Sequence, residues 1–218
     1  MSQPVVERAC ESKRPGRGAR LRAAASALLI VGLIGGLAAC TSDPLAEQYR
    51  SGDNKGFVAA DGFRVDPIDS AERTDPVEFD AVLDTGDTTS SADYAGDVLV
   101  VNFWYAGCAP CRVEAPVLAA ADAEFEGEDV SFLGVNLYDG AEASLAFADT
   151  YGVTYPSALA TEDGSIKLAF AGETPLNAVP VTLVLDKEGR VAARLIGQIK
   201  AEDASILETI VRDTLEEP

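Results

Sequence analysis

The 218-residue chain contains no histidine, only one methionine and one tryptophan, and four cysteines. Without an imidazole, Ser-His-Asp and Cys-His nucleophile systems are excluded. So is covalent haem attachment, because Arg112 stands where the C-x-x-C-H signature needs histidine. Positive charge is scarce as well: 17 Lys+Arg face 36 Asp+Glu, a formal charge of −19. Such a balance excludes nucleic acid as a partner and reads as a solvated, soluble surface. No internal repeat is present.

The chain begins with a basic stretch containing Lys13, Arg14, Arg17, Arg20 and Arg22, followed by an apolar run from Ala23 to Ala39. This is the pattern of an export signal. Its end, Leu37-Ala38-Ala39-Cys40, resembles the lipobox of bacterial lipoproteins, in which cleavage leaves the cysteine as a lipid-bearing N-terminus; the anchor would be Cys40. An uncleaved signal anchor is the other reading, since the run approaches bilayer-spanning length. Both place the rest of the chain in an extracytoplasmic, oxidising space, lipid-anchored at the outer face of the cell membrane in the first case. Removal of residues 1–39 leaves 11 Lys+Arg against 34 Asp+Glu, a formal charge of −23, which argues against the domain lying flat on anionic lipid.

Residues 40–75 are rich in Ser, Gly, Asp and Pro, with short apolar patches at Phe57-Val58 and Phe63, and are expected to form a flexible tether with a little local order that gives the following domain reach. Gly52-Asp53-Asn54-Lys55-Gly56 lacks the spacing of a phosphate loop. Residues 76–218 suffice for one sizeable core and make a single domain. Val77 to Leu83 with a turn at Asp84-Thr85-Gly86-Asp87 suggests an opening hairpin. Val98 to Trp104, Val130 to Leu137 and Val181 to Leu185 read as buried central strands, and Val191 to Ile196 as an antiparallel partner after a turn at Asp186 to Gly189. Helices are predicted after Cys111, over Ala141 to Tyr151 and over Ser205 to Leu215. The first of them has Val113, Val117, Leu118, Ala121 and Phe125 for its core face. Alternating strands and helices point to an α/β domain with helices on both faces of a central sheet.

The run Trp104-Tyr105-Ala106-Gly107-Cys108-Ala109-Pro110-Cys111 places two cysteines where a buried strand ends and a helix begins. Unpaired N–H groups and the helix dipole favour a thiolate at Cys108, making it a nucleophile. Cys111, one turn on, is placed to attack a mixed disulfide on Cys108, and Pro110 helps fix the loop between them. Half of a zinc site or a plain structural disulfide are the competing readings. Zinc would need further ligands, and the other cysteines, Cys10 and Cys40, fall in the export segment.

The stretch N-F-W-x-x-x-C-x-P-C-R-x-E-x-P from Asn102 to Pro116, together with Val179-Pro180-Val181-Thr182, resembles the TlpA/ResA-type thiol-disulfide oxidoreductases, a membrane-tethered branch of the thioredoxin superfamily. The likeness runs from Pro76 to Glu216. It implies a thioredoxin-like fold with a mixed sheet, with the helix at Ala141 to Tyr151 resembling the insertion of that branch. It also implies a cis bond before Pro180, which would face the cysteines and offer backbone to a client peptide; the alternative is an ordinary proline at a strand start. Glu114 matches the family glutamate that adjusts the thiols and moves their protons, against the reading of a solvated helix acid. Asn102 stands where ordinary thioredoxins carry a buried aspartate, so the proton route must differ; a purely structural role, bonded to neighbouring backbone, is the alternative. Trp104 and Pro110 support the site.

The resemblance implies a lipid-anchored reductase of exported proteins, with Cys108, Cys111, Glu114 and Pro180 at its centre and no cofactor beyond the cysteine pair. Its preferred client would be the C-x-x-C-H segment of apocytochrome c during cytochrome c maturation, and its electrons would come from a membrane donor of the CcdA/DsbD type. Three other readings share the motif: an oxidase that installs disulfides, a thiol peroxidase, and a lipoprotein adaptor that holds clients without turnover. The missing Thr-x-x-Cys pattern speaks against the peroxidase.

Overall fold

The computed structural model describes residues 57–58, 62–175 and 179–218; the stretch expected as an export signal, Cys40 and the Gly52 to Gly56 stretch lie outside the described residues. Among the described residues, no helix is long and apolar enough to cross a membrane. In chain order the first elements are β1 (Phe57–Val58), β2 (Arg64–Pro67), β3 (Asp80–Val82), β4 (Thr88–Ser90), β5 (Val98–Trp104), α1 (Ala109–Glu124) and β6 (Val130–Asn136). There follow α2 (Ala141–Tyr151), β7 (Ser157–Leu159), α3 (Ser165–Ala169), β8 (Val181–Leu185), β9 (Val191–Ile196) and α4 (Ala204–Leu215).

Seven strands form one mixed sheet in the order β1-β2-β9-β8-β5-β6-β7, and β3 and β4 pair separately as a hairpin. The most apolar segment takes the middle: every residue of β5 is buried, with β6 parallel on one side and β8 antiparallel on the other. Each crossover between parallel strands needs a helix, supplied by α1 between β5 and β6 and by α2 between β6 and β7.

Successive side chains of β5 point to opposite faces. Leu99, Val101 and Phe103 enter the main core, where the β3–β4 segment contributes Val77, Phe79 and Ala81, and the α3 region Ile166 and Phe170. Each buried Val, Leu, Ile or Phe of this layer stabilises the fold by about 1.5–3 kcal/mol. Asn102 and Trp104 point the other way, Asn102 toward Glu114 of α1 and Trp104 toward Phe147 of α2. Helices thus lie on both faces, as expected, although α3 is short and shares its face with the hairpin.

Three expectations need correction. Strands β1 and β2 fall inside the stretch expected as a flexible tether. β2 pairs antiparallel with β9, and Phe63 and Val65 are buried, so apolar burial and ladder hydrogen bonds order this segment. The core face of α1 is also turned: Val113 is 55% exposed, and the buried residues are Cys111, Glu114, Ala115, Leu118 and Ala121, with Phe125 at the C-terminal end. Finally, the first hairpin strand is limited to Asp80–Val82, although its turn is as expected, with Leu83 N–H donating to Asp87 O and Gly86 at a φ of 90°.

The far end of β8 is closed by charge. Asp186 follows the strand and accepts hydrogen bonds from the N–H groups of Glu188 and Arg190 and from Arg73 Nη1 at 2.8 Å. Arg73 also grips Glu217 with both terminal guanidinium nitrogens, Nη1 and Nη2, pinning the segment before β3 and the one after α4 to the β8–β9 turn.

Candidate active site

The chain leaves β5 at Trp104, turns through Tyr105 to Gly107, and enters α1 with Cys108 as its N-cap and Pro110 in the first turn. Proline is tolerated there because a first-turn N–H has no intrahelical acceptor. Cys108 and Cys111 form a disulfide, and the Cys111 N–H donates to Cys108 Sγ at 3.1 Å. After reduction the same N–H and the helix dipole would face the Cys108 sulfur and favour its thiolate. Cys111 lies deeper, 1% exposed against 4% for Cys108, whose neighbours Gly107, Ala109 and Pro110 are all exposed. Incoming groups therefore meet Cys108 first.

The two sulfurs sit in an apolar nest of Trp104, Ala115 and Phe147, with Val179 packed against it. The Trp104 and Phe147 rings lie 4.1 Å apart between centroids. The Val179–Pro180 peptide is cis, as the resemblance implied, and the Pro180 carbonyl accepts from Gly197 N–H at 3.0 Å. Pro180 is thereby tied to the turn after β9, and its neighbour Val179 brings this backbone to the cysteines.

Glu114 falls on the buried face because it follows Cys111 by one helical turn. It is 1% exposed, which overturns the solvated reading. Burial pushes its carboxyl up to about 8, against opposing hydrogen bonds from Asn102 and the Ile199 N–H. Those bonds run from Asn102 Nδ2 to Oε1 at 2.8 Å and from Ile199 N to Oε2 at 3.2 Å. Both donors are neutral, and no ion pair involving Glu114 appears among the described residues. A carboxyl so placed can take up or release a proton near neutral pH.

Asn102 uses its second amide hydrogen on Thr182 Oγ1 at 3.1 Å, so it bonds side chains of α1 and β8 rather than neighbouring backbone. Asn102 and Cys111 line one small cavity with Trp104, Phe147, Tyr155 and Ser157. This space joins the deeper sulfur to the residue that holds Glu114. Burial, and then the charges of Glu114 and Asp122, drive the Tyr155 phenol upward from its ordinary value. Phe147 and the Ile199 N–H carry no signal of their own in the sequence, one being a single apolar residue of a helix and the other a backbone donor; Thr182 lies in the Val179-Pro180-Val181-Thr182 stretch, but its bond to Asn102 is visible only in the structure. Among the described residues, no cluster of three or more acidic or cysteine side chains could hold a metal ion.

Residues 74–194 match the model of the AhpC/TSA family. The chain is 30% identical over 112 residues to the thiol-disulfide oxidoreductase ResA of Geobacillus kaustophilus, covering 51% of this chain and 62% of the relative. The match thus spans about three fifths of that relative's length. A crystal structure of a thiol:disulfide interchange protein of the thioredoxin family from Chlorobium tepidum superposes with a TM-score of 0.60 at 26% identity, over 67% of this chain and 99% of that one. A DsbF homologue from Corynebacterium diphtheriae gives 0.58 at 28% identity, over 72% and 97%.

Proposed function

The chain belongs to the AhpC/TSA family and has a thioredoxin-like fold, and from that premise we propose that it is a membrane-tethered, extracytoplasmic protein thiol-disulfide oxidoreductase of the ResA/DsbE type, acting as a reductase. The observation that carries the reading is the Cys108–Cys111 disulfide at the N-terminus of α1, flanked by the cis Val179–Pro180 peptide and backed by the buried Glu114.

In the reduced enzyme the Cys108 thiolate attacks one sulfur of a client disulfide. The client S–S bond breaks, one client thiolate leaves, and a mixed disulfide joins Cys108 to the other client sulfur. Cys111 then loses its proton and attacks Cys108 Sγ, releasing the second client thiolate and forming the Cys108–Cys111 disulfide. The client gains two electrons and, on protonation, two protons; the enzyme dithiol is oxidised. Glu114, held by Asn102 of the small cavity that Cys111 also lines, supplies a place for the Cys111 proton. The cis-proline segment offers backbone beside the sulfurs for pairing with the client chain. A membrane dithiol donor of the CcdA/DsbD type returns the enzyme to its reduced state, and the clients are exported proteins, apocytochrome c foremost among them. No further cofactor takes part, and Cys40 carries the lipid that keeps the domain at the outer face of the membrane.

Replacement of Cys111 by Ser should accumulate mixed disulfides through Cys108, and identification of the trapped chains names the clients. Deletion of the gene should leave apocytochrome c oxidised and be rescued by added thiol reductant; normal holocytochrome levels in the deletant contradict that client. Reduction potential decides direction: a value near about −120 mV would mark an oxidase, whereas one below about −200 mV suits a reductase.

A further inference from the structure

The turn that presents Cys108 is held by a second loop, between β6 and α2, that carries no recognisable motif. The turn closes with Cys108 N–H donating to the Tyr105 carbonyl at 3.1 Å. Between these residues both polar groups of Ala106 are occupied by ionisable side chains. Its N–H donates to Asp139 Oδ2 at 2.6 Å, and its carbonyl accepts from Arg112 Nε at 2.8 Å. Arg112 belongs to α1, the helix that Cys108 itself begins, so its bond ties the turn only to its own continuation.

Asp139 lies in the loop between β6 and α2 and ties the turn to the sheet. Asn136, fully buried at the end of β6, accepts from the N–H groups of Tyr138 and Asp139 through Oδ1. Its Nδ2 donates to the same Asp139 Oδ2 at 3.1 Å, which aims that oxygen at Ala106. The loops meet twice more: Leu137 N–H donates to the Trp104 carbonyl at 3.0 Å, and the Tyr105 and Tyr138 rings pack edge to face with centroids 5.2 Å apart. Tyr105 also leans over Gly107, where an added Cβ would lie 3.0 Å from its ring.

We propose that Asp139 is a positioning residue for disulfide exchange: by holding the Ala106 peptide it keeps the Cys108 sulfur at the α1 N-terminus once the bond to Cys111 is broken. The claim rests on Cys108 being the attacking sulfur. In the oxidised state the covalent link to Cys111 fixes Cys108, but in the dithiol only backbone and packing restrain it, and the neighbouring Gly107 adds freedom. A carboxylate accepting a backbone N–H in a half-buried setting is among the stronger hydrogen bonds, and here it joins the turn to a buried strand end.

The test compares Asp139→Ala and Asp139→Asn with the unaltered chain in insulin reduction and in amide hydrogen exchange of Ala106 in both redox states. Asp139→Ala should slow insulin reduction about tenfold, the effect of losing one charge-assisted hydrogen bond. It should also speed Ala106 exchange, more in the dithiol than in the disulfide. Asp139→Asn retains an acceptor oxygen and should recover most of both. Unchanged rate and amide protection in Asp139→Ala would overturn the proposal, as would an Asn variant no better than Ala. Failure of the unaltered chain to reduce insulin would sink the redox reading, and the amide measurement would still decide the clamp.

Discussion

Two carboxylates are buried at opposite ends of β8, and they are treated in opposite ways. Asp186, 2% exposed, is met by Arg73 and Arg190 and by two backbone N–H groups. Glu114, 1% exposed, bonds through Asn102 to the start of the same strand and is met only by neutral donors. Cations make burial of an ionised acid tolerable, so the Asp186 end fastens the fold. Neutral donors do not offset desolvation in full, so the Glu114 end keeps a carboxyl whose protonated form survives to about 8. One buried acid acts as a clasp and the other is suited to hold a proton beside a thiol.

The largest effect should come from breaking the clasp. Replacing Arg73, whose side chain is 4% exposed, by Ala leaves Asp186 and Glu217 without a shared cation and should cost about 3 kcal/mol of unfolding free energy. Denaturant titration reads the loss, and insulin reduction per folded molecule should be unchanged. A fall in turnover of the folded fraction would join two ends that the comparison separates.

Glu114→Gln should do the reverse. It should slow exchange at neutral pH by about a hundredfold, the lower range of general acid-base contributions, and shift the titration of the cysteines. Unchanged rates and thiol titration would remove Glu114 from the mechanism.

A smaller effect sharpens the contrast through pH. The Glu114 carboxyl is raised from 4.5 to about 8 in the fold, so between these values the folded chain holds a proton that the unfolded chain has released. Its stabilising contribution is complete below about 4.5 and is lost as pH rises through 8. The unfolding free energy of the native chain, measured against Glu114→Gln, should therefore decline across that window. A difference that stays flat, or grows with pH, contradicts the assignment.

Much of this architecture was legible because burial on both faces writes itself as continuous apolar runs. β5, β8 and β9 appear as read, as do α2 and the N-cap position of Cys108. Short edges were not legible: β2 is Arg64-Val65-Asp66-Pro67, whose composition resembles a linker, and its order comes from pairing with β9. The face of α1 was misread for an instructive reason. Val113 and Val117 repeat at helical spacing, but Cys111 must lie beneath Trp104, and the residues one turn on, Glu114 and Ala115, then face inward with it. A polar residue on a core face looks like an error in the hydrophobic pattern, and here it marks the candidate site. Asn102 could be singled out within an apolar strand, but its partners, 12 and 80 residues away in sequence, could not.

The most direct test of the central claim is a carboxyl NMR titration of Glu114 in the reduced and oxidised protein. A midpoint near 8 is expected, with the Cys111 titration moving when Glu114 is replaced by Gln. A midpoint near the ordinary glutamate value of about 4.3, with cysteines that titrate alike in both proteins, would contradict it.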